Sequence, residues 1–327
     1  MENEKIIKKF KCKKLLFDIA PLFGMFILFI MTIILNYING NVGGIGFILE
    51  NAISTVIPTI FVATGAIFIF SIGSFDISLG SNLIVSATIG GIIYIKTESF
   101  FLMMITCIIV SVIISLVNAV LAAVFNLPVF VTTIAMMSVL NAFGSLLRGG
   151  KKLNVGSIID MEPFSPWYIK IMILLILMII FIVIFNFSSF GKMGKFLGGS
   201  PTCAKLTGIS EKKIAIIAFA LAGIAVGIGA FFSVIKSPTI GNGFASSIGM
   251  DMMIVIVFGG MALSGGTKSK IYAAIIGGLS LQFLNTIMIT LVSGEAGNYT
   301  AQLVKGIVFL IVTTFIMKQY RTDVLTR

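Results

Sequence analysis

Three ionisable residues stand deep inside stretches that are otherwise apolar, Asp76, Asp251 and Lys305, while Asp18 lies close enough to the end of its stretch to reach the interface. A charge at the centre of a bilayer costs at least about 2.5–3.5 kcal/mol, so such residues face a bundle interior or a water-filled path. Two readings stand side by side: they line or gate a route for a polar solute, or they form buried pairs and caps that lock helices together. With no His in 327 residues and only two acids at depth, a proton relay has little to work with. Asp76 lies in Gly73-Ser74-Phe75-Asp76-Ile77-Ser78-Leu79-Gly80-Ser81, a polar break between two apolar runs in which Asp76 and Ser78 can cap the helix that follows. Non-helical backbone at that depth is tolerated only where protein or a water-filled cavity satisfies it. Asp76, Ser78, Asp251 and Lys305 are therefore the candidates for a translocation path or gate.

A second break, Ala262-Leu263-Ser264-Gly265-Gly266-Thr267, follows 186 residues later, and the same offset aligns Ile77 with Leu263, Ala87 with Ala273 and Gly91 with Gly277. This is a weak internal repeat of the kind transporters often carry. A different signal marks the long loop at about 188–213. Ser200 is a good N-cap, Pro201 suits the first helical position and Gly208 suits the position just past the end, which predicts a short helix over 201–207. Such a capped helix is either a docking element for a soluble partner or a connector.

No other segment carries catalytic chemistry. The chain has no phosphate-cradling loop, no HExxH, no GxSxG and no CxxC, so neither a catalytic residue, a metal site nor a cofactor is expected. Cys12, Cys107 and Cys203 are far apart and read as free thiols of a reducing compartment. Any ATP hydrolysis must then belong to another chain.

The elements that position these residues follow from composition. The chain is 58% hydrophobic and 11% charged, with a mean hydropathy of +1.13; a soluble domain carries roughly 25% charged residues. It cannot cover itself with polar surface, and lipid must be its solvent. A spanning helix needs about 20 apolar residues, and on that ruler about ten candidates appear: 16–37, 51–73, 78–95, 100–124, 128–147, 169–187, 213–235, 248–263, 270–293 and 299–318. The eighth is short and ends in Gly259-Gly260, and Asn126-Leu127-Pro128 barely separates the fourth from the fifth. The expected architecture is all-α: a polytopic transmembrane bundle with broken or short helices near the path, flanked by a basic segment at 1–15 and a tail at 319–327. The first apolar run, Leu15 to about Leu35, is too long for a signal peptide and lacks a small-x-small cleavage site, so it reads as a retained span.

The net charge of +11 is topology rather than nucleic-acid affinity, because the cations cluster beside spans. With a cytoplasmic N-terminus, sixteen of the 23 Lys and Arg fall on the cytoplasmic side, including the six before the first span and Lys192, Lys195, Lys205, Lys212 and Lys213 of the long loop. Lys96, Arg148, Lys151, Lys152, Lys170 and Lys236 fall on the other side with Glu50, Glu98, Asp160, Glu162 and Glu295. Both termini are thus expected in the cytoplasm.

These same residues resemble the ribose-type branch of ABC transporter permeases, relatives of the branched-chain amino-acid permeases. The branch shows Gly-Ile-Asp-Leu-Ser-Val-Gly-Ser, here Ser74 to Ser81, and Leu-Pro-Ala-Phe-Ile-Ala-Thr-Leu-Gly-Met-Met, here Leu127 to Met137. It also shows a Gly-Gly-Asn-x-x-Ala-Ala-x-x-x-Gly-Ile loop, here Gly198 to Ile209, a Gly-Gly-x-x-Leu-Ser-Gly-Gly segment, here Gly259 to Gly266, and a late Lys-Gly, here Lys305-Gly306. The likeness runs over about residues 50–315. It implies a permease in a bacterial inner membrane that imports a simple sugar or similar small polar solute, dimerises with a second permease subunit around a central path, and takes solute from an extracytoplasmic binding protein. It also implies that the loop helix, through Ser200, Pro201, Ala204, Lys205, Gly208 and Ile209, couples to a cytoplasmic ATP-binding subunit. Ala204, Gly208 and Ile209 fit the family pattern; Ser200, Pro201, Thr202 and Cys203 depart from it, as do Ser74 and Phe75 beside Asp76. The alternative from another class is a stand-alone secondary carrier driven by an ion gradient, with Asp76 or Asp251 as its coupling site.

Overall fold

The computed structural model describes residues 2–38, 44–125, 127–156, 167–241, 244, 247–261, 265–292 and 295–325. Asn126, Asp160, Glu162, Ala262, Leu263, Ser264 and Arg327, which figure in the expectations above, lie outside the described residues. Twelve α-helices dominate what is described: α1 (Glu2–Ile38), α2 (Gly44–Ser71), α3 (Leu79–Thr97), α4 (Phe100–Phe125), α5 (Val129–Leu147), α6 (Trp167–Phe187), α7 (Ser189–Gly199), α8 (Pro201–Leu206), α9 (Glu211–Lys236), α10 (Ile248–Phe258), α11 (Ala273–Leu291) and α12 (Glu295–Leu325). Two short strands, β1 (Leu153–Asn154) and β2 (Thr239–Ile240), pair antiparallel with Leu153 opposite Ile240.

Among the described residues nine helices are long and apolar enough to cross a membrane. The expected eighth span is the correction. α10 has 11 residues, about 16 Å at 1.5 Å per residue, half of a hydrocarbon core of about 30 Å. It stops where Gly259 meets α11: a Cβ there would sit 2.7 Å from the Ala273 Cα. Gly260 then turns the chain with φ +78°, a conformation glycine adopts without a side-chain clash.

Small residues decide which helices are central. α9 carries Gly223 and Gly227 one turn apart, and a Cβ on either would come within 2.7 Å of the α4 backbone at Val112 or Ile108. On its other side Gly65 of α2 packs on the Ala222 backbone, and Phe61 of α2 stacks on Phe232 of α9 at 5.9 Å. Without a hydrophobic drive between helices in lipid, such close backbone approach supplies the dispersion contacts that hold them. α2, α3 and α9 are mostly buried, whereas α1, α4, α5, α6 and α12 turn most of their apolar surface outward. α6, the most apolar span, is thus a lipid-facing one, as expected where lipid is the solvent.

Candidate functional site

Asp76 is almost fully enclosed, in the break between α2 and α3. Its Oδ1 accepts from the Ser78 backbone N–H and the Ser78 hydroxyl, each at 2.7 Å, and the Asn118 amide of α4 donates to the Ser78 Oγ at 2.7 Å. Ser78 stands at the N-cap position of α3 but its side chain makes no cap bond; it turns back onto Asp76, whose carboxylate holds the Ser78 N–H and not a first-turn N–H of α3, so the capping expected of Asp76 and Ser78 is replaced by a turn that the two close on each other. Above it a polar seam continues between the two helices. The Asn82 amide donates to the Ser115 Oγ at 3.0 Å and the Ser111 carbonyl at 3.1 Å, and the Ser86 hydroxyl donates to the Asn82 Oδ1. These bonds fix one register of α3 on α4, while the Ser111 Oγ and the Asn118 Oδ1 on the same seam are buried without a partner.

A cavity of about 910 Å³ opens between α2, α9, α10, α11 and α12. Its wall is polar for a membrane interior: Thr55, Thr59, Ser233, Gln282, Asn285 and Gln302 contribute, with Lys152 and Lys236 at the end where α9 finishes. Asp251 of α10 and Lys305 of α12 also line it and meet at 3.1 Å, their side chains 12% and 10% exposed. The Ser233 Oγ and Asn285 Oδ1 are buried without a hydrogen-bond partner. Asp76 and Ser78 do not line this cavity. They back onto it, because Gly80 in the first turn of α3 packs on Gly249 in the first turn of α10, two residues before Asp251.

At the other end of α9, about 38 Å away along its 26 residues, stands the α7–α8 hairpin. The Ser200 hydroxyl accepts from the Cys203 N–H at 3.4 Å and Pro201 occupies the first turn of α8. The end of α8 is closed by two reverse bonds, Ile209 N–H to the Ala204 carbonyl at 3.0 Å and Gly208 N–H to the Lys205 carbonyl at 3.1 Å, with Gly208 at φ +79°. This is the Schellman arrangement. Ala204 is fully buried against Ile72, Leu197, Ile214 and Ala218, and Ile209 packs partly on the same cluster. Pro201, Lys205 and Gly208 are exposed, Lys205 lying 3.7 Å from Glu211, and Leu206 is 84% exposed.

Glycines tie this hairpin to both breaks. Gly198, at the end of α7, lies so close to the Ser71 carbonyl that a Cβ would overlap it, and that Cβ would sit 2.9 Å from the Gly73 nitrogen and 3.0 Å from the Gly266 Cα. Gly265 (φ +62°) is pressed in turn against the Phe70 carbonyl. Three backbones thus meet where the Asp76 break begins. Phe75, beside Asp76, is held between Phe70 at 4.7 Å and Phe130 of α5 at 5.8 Å.

The structure therefore pairs Asp251 with Lys305, brings neither to Asp76, and gathers the hairpin residues at the far end. The sequence reading missed Leu206, the seam residues other than Ser78, and the polar cavity wall other than Asp251 and Lys305. Their signal was present as helical spacing within apolar runs: Ser78, Asn82 and Ser86; Ser111, Ser115 and Asn118; Gln282 and Asn285; Gln302 and Lys305. Gly306, beside Lys305, has no neighbour within 4 Å of where a Cβ would stand.

Residues 48–313 match the family described as the permease component of the branched-chain amino acid transport system. The ribose import permease of Escherichia coli (strain K12) is 25% identical over 274 residues, 80% of this chain and 80% of its own. The fructose import permease of Bifidobacterium longum is 23% identical over 271 residues, 79% of this chain and 75% of its own. The L-arabinose transport system permease of Escherichia coli (strain K12) is 25% identical over 265 residues, 78% of this chain and 77% of its own. No solved structure matches the chain. These relatives are transport permeases rather than enzymes, and as components of larger systems they set aside the stand-alone carrier. Spanning the membrane several times and matching over most of its length, the chain belongs to the permease components of the branched-chain amino acid transport family.

Proposed function

We propose that this chain is the membrane subunit of an ATP-driven importer in a bacterial inner membrane that admits a simple sugar or a similar small polar solute. The reading draws its solute class from the ribose, fructose and arabinose permeases it resembles. An extracytoplasmic binding protein delivers the solute, a separate cytoplasmic subunit hydrolyses ATP, and a second permease subunit, identical or similar, completes the path. Both termini are cytoplasmic, on the side with more Lys and Arg. On that orientation Lys152 and Lys236 lie at the outward end of the 910 Å³ cavity, and the hairpin faces the ATP-binding subunit.

The observation that carries this reading is the construction of α8. Its two ends are closed and Ala204 pins it to the bundle, yet Leu206 stands 84% exposed on it. An exposed Leu on a rigid, tethered turn outside the spans suits a hydrophobic groove on a soluble partner. Gly198 then carries displacement of the hairpin to the ends of both breaks. The test is a pull-down of the tagged chain from mild detergent with an ATPase assay on the eluate. An ATP-binding subunit should co-purify with the native chain and be lost with Leu206→Glu, while the variant remains monodisperse. Recovery of the same subunit with Leu206→Glu refutes docking through α8, and a native chain that purifies alone and moves solute without ATP refutes the importer.

A further inference from the structure

The cavity carries a charge that a neutral solute would not need. Its one acid among the described lining residues, Asp251, is neutralised by Lys305 at 3.1 Å. Two cations on the wall, Lys152 and Lys236, have no acid partner among the described residues. Lys236 donates to the Thr55 hydroxyl, and Lys170 of α6 donates to the adjacent Ser54 hydroxyl at 3.1 Å, near enough to repel Lys236. Glu50 attracts Lys170, which does not line the cavity. Like charges on the wall of one low-dielectric cavity are unfavourable unless something anionic offsets them, and such a field raises the local concentration of anions. Deeper on the same wall, Ser233, 6% exposed, has its hydroxyl buried without a partner, as has the amide oxygen of Asn285. These are free hydrogen-bonding groups for the hydroxyls of a polyol.

We propose that the solute admitted by this cavity is an anionic polyol, a sugar-sized molecule bearing a carboxylate or phosphate that Lys152 and Lys236 attract while Ser233 and Asn285 bond its hydroxyls. This rests on the chain being a solute permease and narrows the class of solute. It also explains why Asp251 is paired: a free carboxylate there would repel the same anion.

The test uses the purified full chain in zwitterionic phosphatidylcholine nanodiscs, without ATP or partners, so that it fails separately from the importer reading. Weak binding of glucose, glucuronate and glucose 6-phosphate, which share a ring and differ in charge, is read by saturation-transfer NMR. One or both anions should bind about tenfold tighter than glucose, lose that advantage when salt is raised, and lose it in Lys152→Gln/Lys236→Gln; the two anions separate carboxylate from phosphate recognition. Lys152→Arg/Lys236→Arg should keep the preference, which guards against misfolding of the Gln variant. Glucose binding as well as both anions overturns the proposal. So does a preference that survives in the Gln variant, or equal loss of all three probes there while the Arg variant binds them normally, since the lysines would then serve the fold or the binding protein.

Discussion

Asp251 and Lys305 give the most direct test of how the wall is held together. Their charged atoms are 3.1 Å apart on side chains about nine-tenths buried, and at an effective dielectric of about 20 the Coulomb attraction is about 5 kcal/mol. Desolvation of the two ions offsets most of it, so the pair as a whole adds little over an apolar replacement of similar size. Removing one partner is different: it strands the other charge, at a cost of about 3–5 kcal/mol. Water in the cavity beside the pair brings the value to the low end, about 3 kcal/mol. Asp251→Asn and Lys305→Met should each lower the thermal midpoint of the detergent-purified chain by about 5 °C or more, followed by loss of the monodisperse peak on heating. The double variant should regain most of that loss, giving a coupling of at least about 2 kcal/mol. If the two single losses simply add, the pair is not the tie between α10 and α12 and the reasoning fails. Uptake by the double variant then separates the two roles: normal uptake leaves the pair a lock, and lost uptake at restored stability makes it part of the path.

Two further predictions concern glycine contacts. Gly227→Leu would drive a Cβ to 2.5 Å from the Ile108 Cα, where only backbone can yield; it should cost about 3 kcal/mol or more and abolish monodisperse protein, while Gly24→Leu, with nothing within 4 Å, should be harmless on size exclusion. Gly198→Ala should leave membrane insertion and the ATP-binding partner in place but uncouple ATP hydrolysis from uptake, because the hairpin can no longer rest on Ser71 and Gly266; normal coupled uptake would show that the junction does not transmit motion.

Much of the molecule is legible without its structure, and the limits fall where physics places them. Apolar runs of about 20 residues identify solvent, so the nine long apolar helices among the described residues can be read directly. α10 defeats that ruler: its composition matches a span, but the contact of Gly259 with Ala273 ends it after 11 residues. Caps are equally local, and Ser200, Pro201 and Gly208 announced α8 because each acts within four residues of itself. The repeat is less well drawn. α2 and α10 end close to the expected offset, at Ser71 and Phe258, but α3 and α11 begin at Leu79 and Ala273, so the second break is the longer.

The amino-acid sequence by itself determined the solvent, the spans, the break at Asp76 and the capped turn, since each depends on hydropathy or on bonds between near neighbours. Only the packed structure determined that Asp251 meets Lys305 from 54 residues away, that Ala204 faces inward while Leu206 faces out, and that Lys152 and Lys236 share one cavity. Those facts depend on which face each helix turns to its neighbours. In lipid that choice rests with glycine contacts and buried hydrogen bonds rather than with hydropathy.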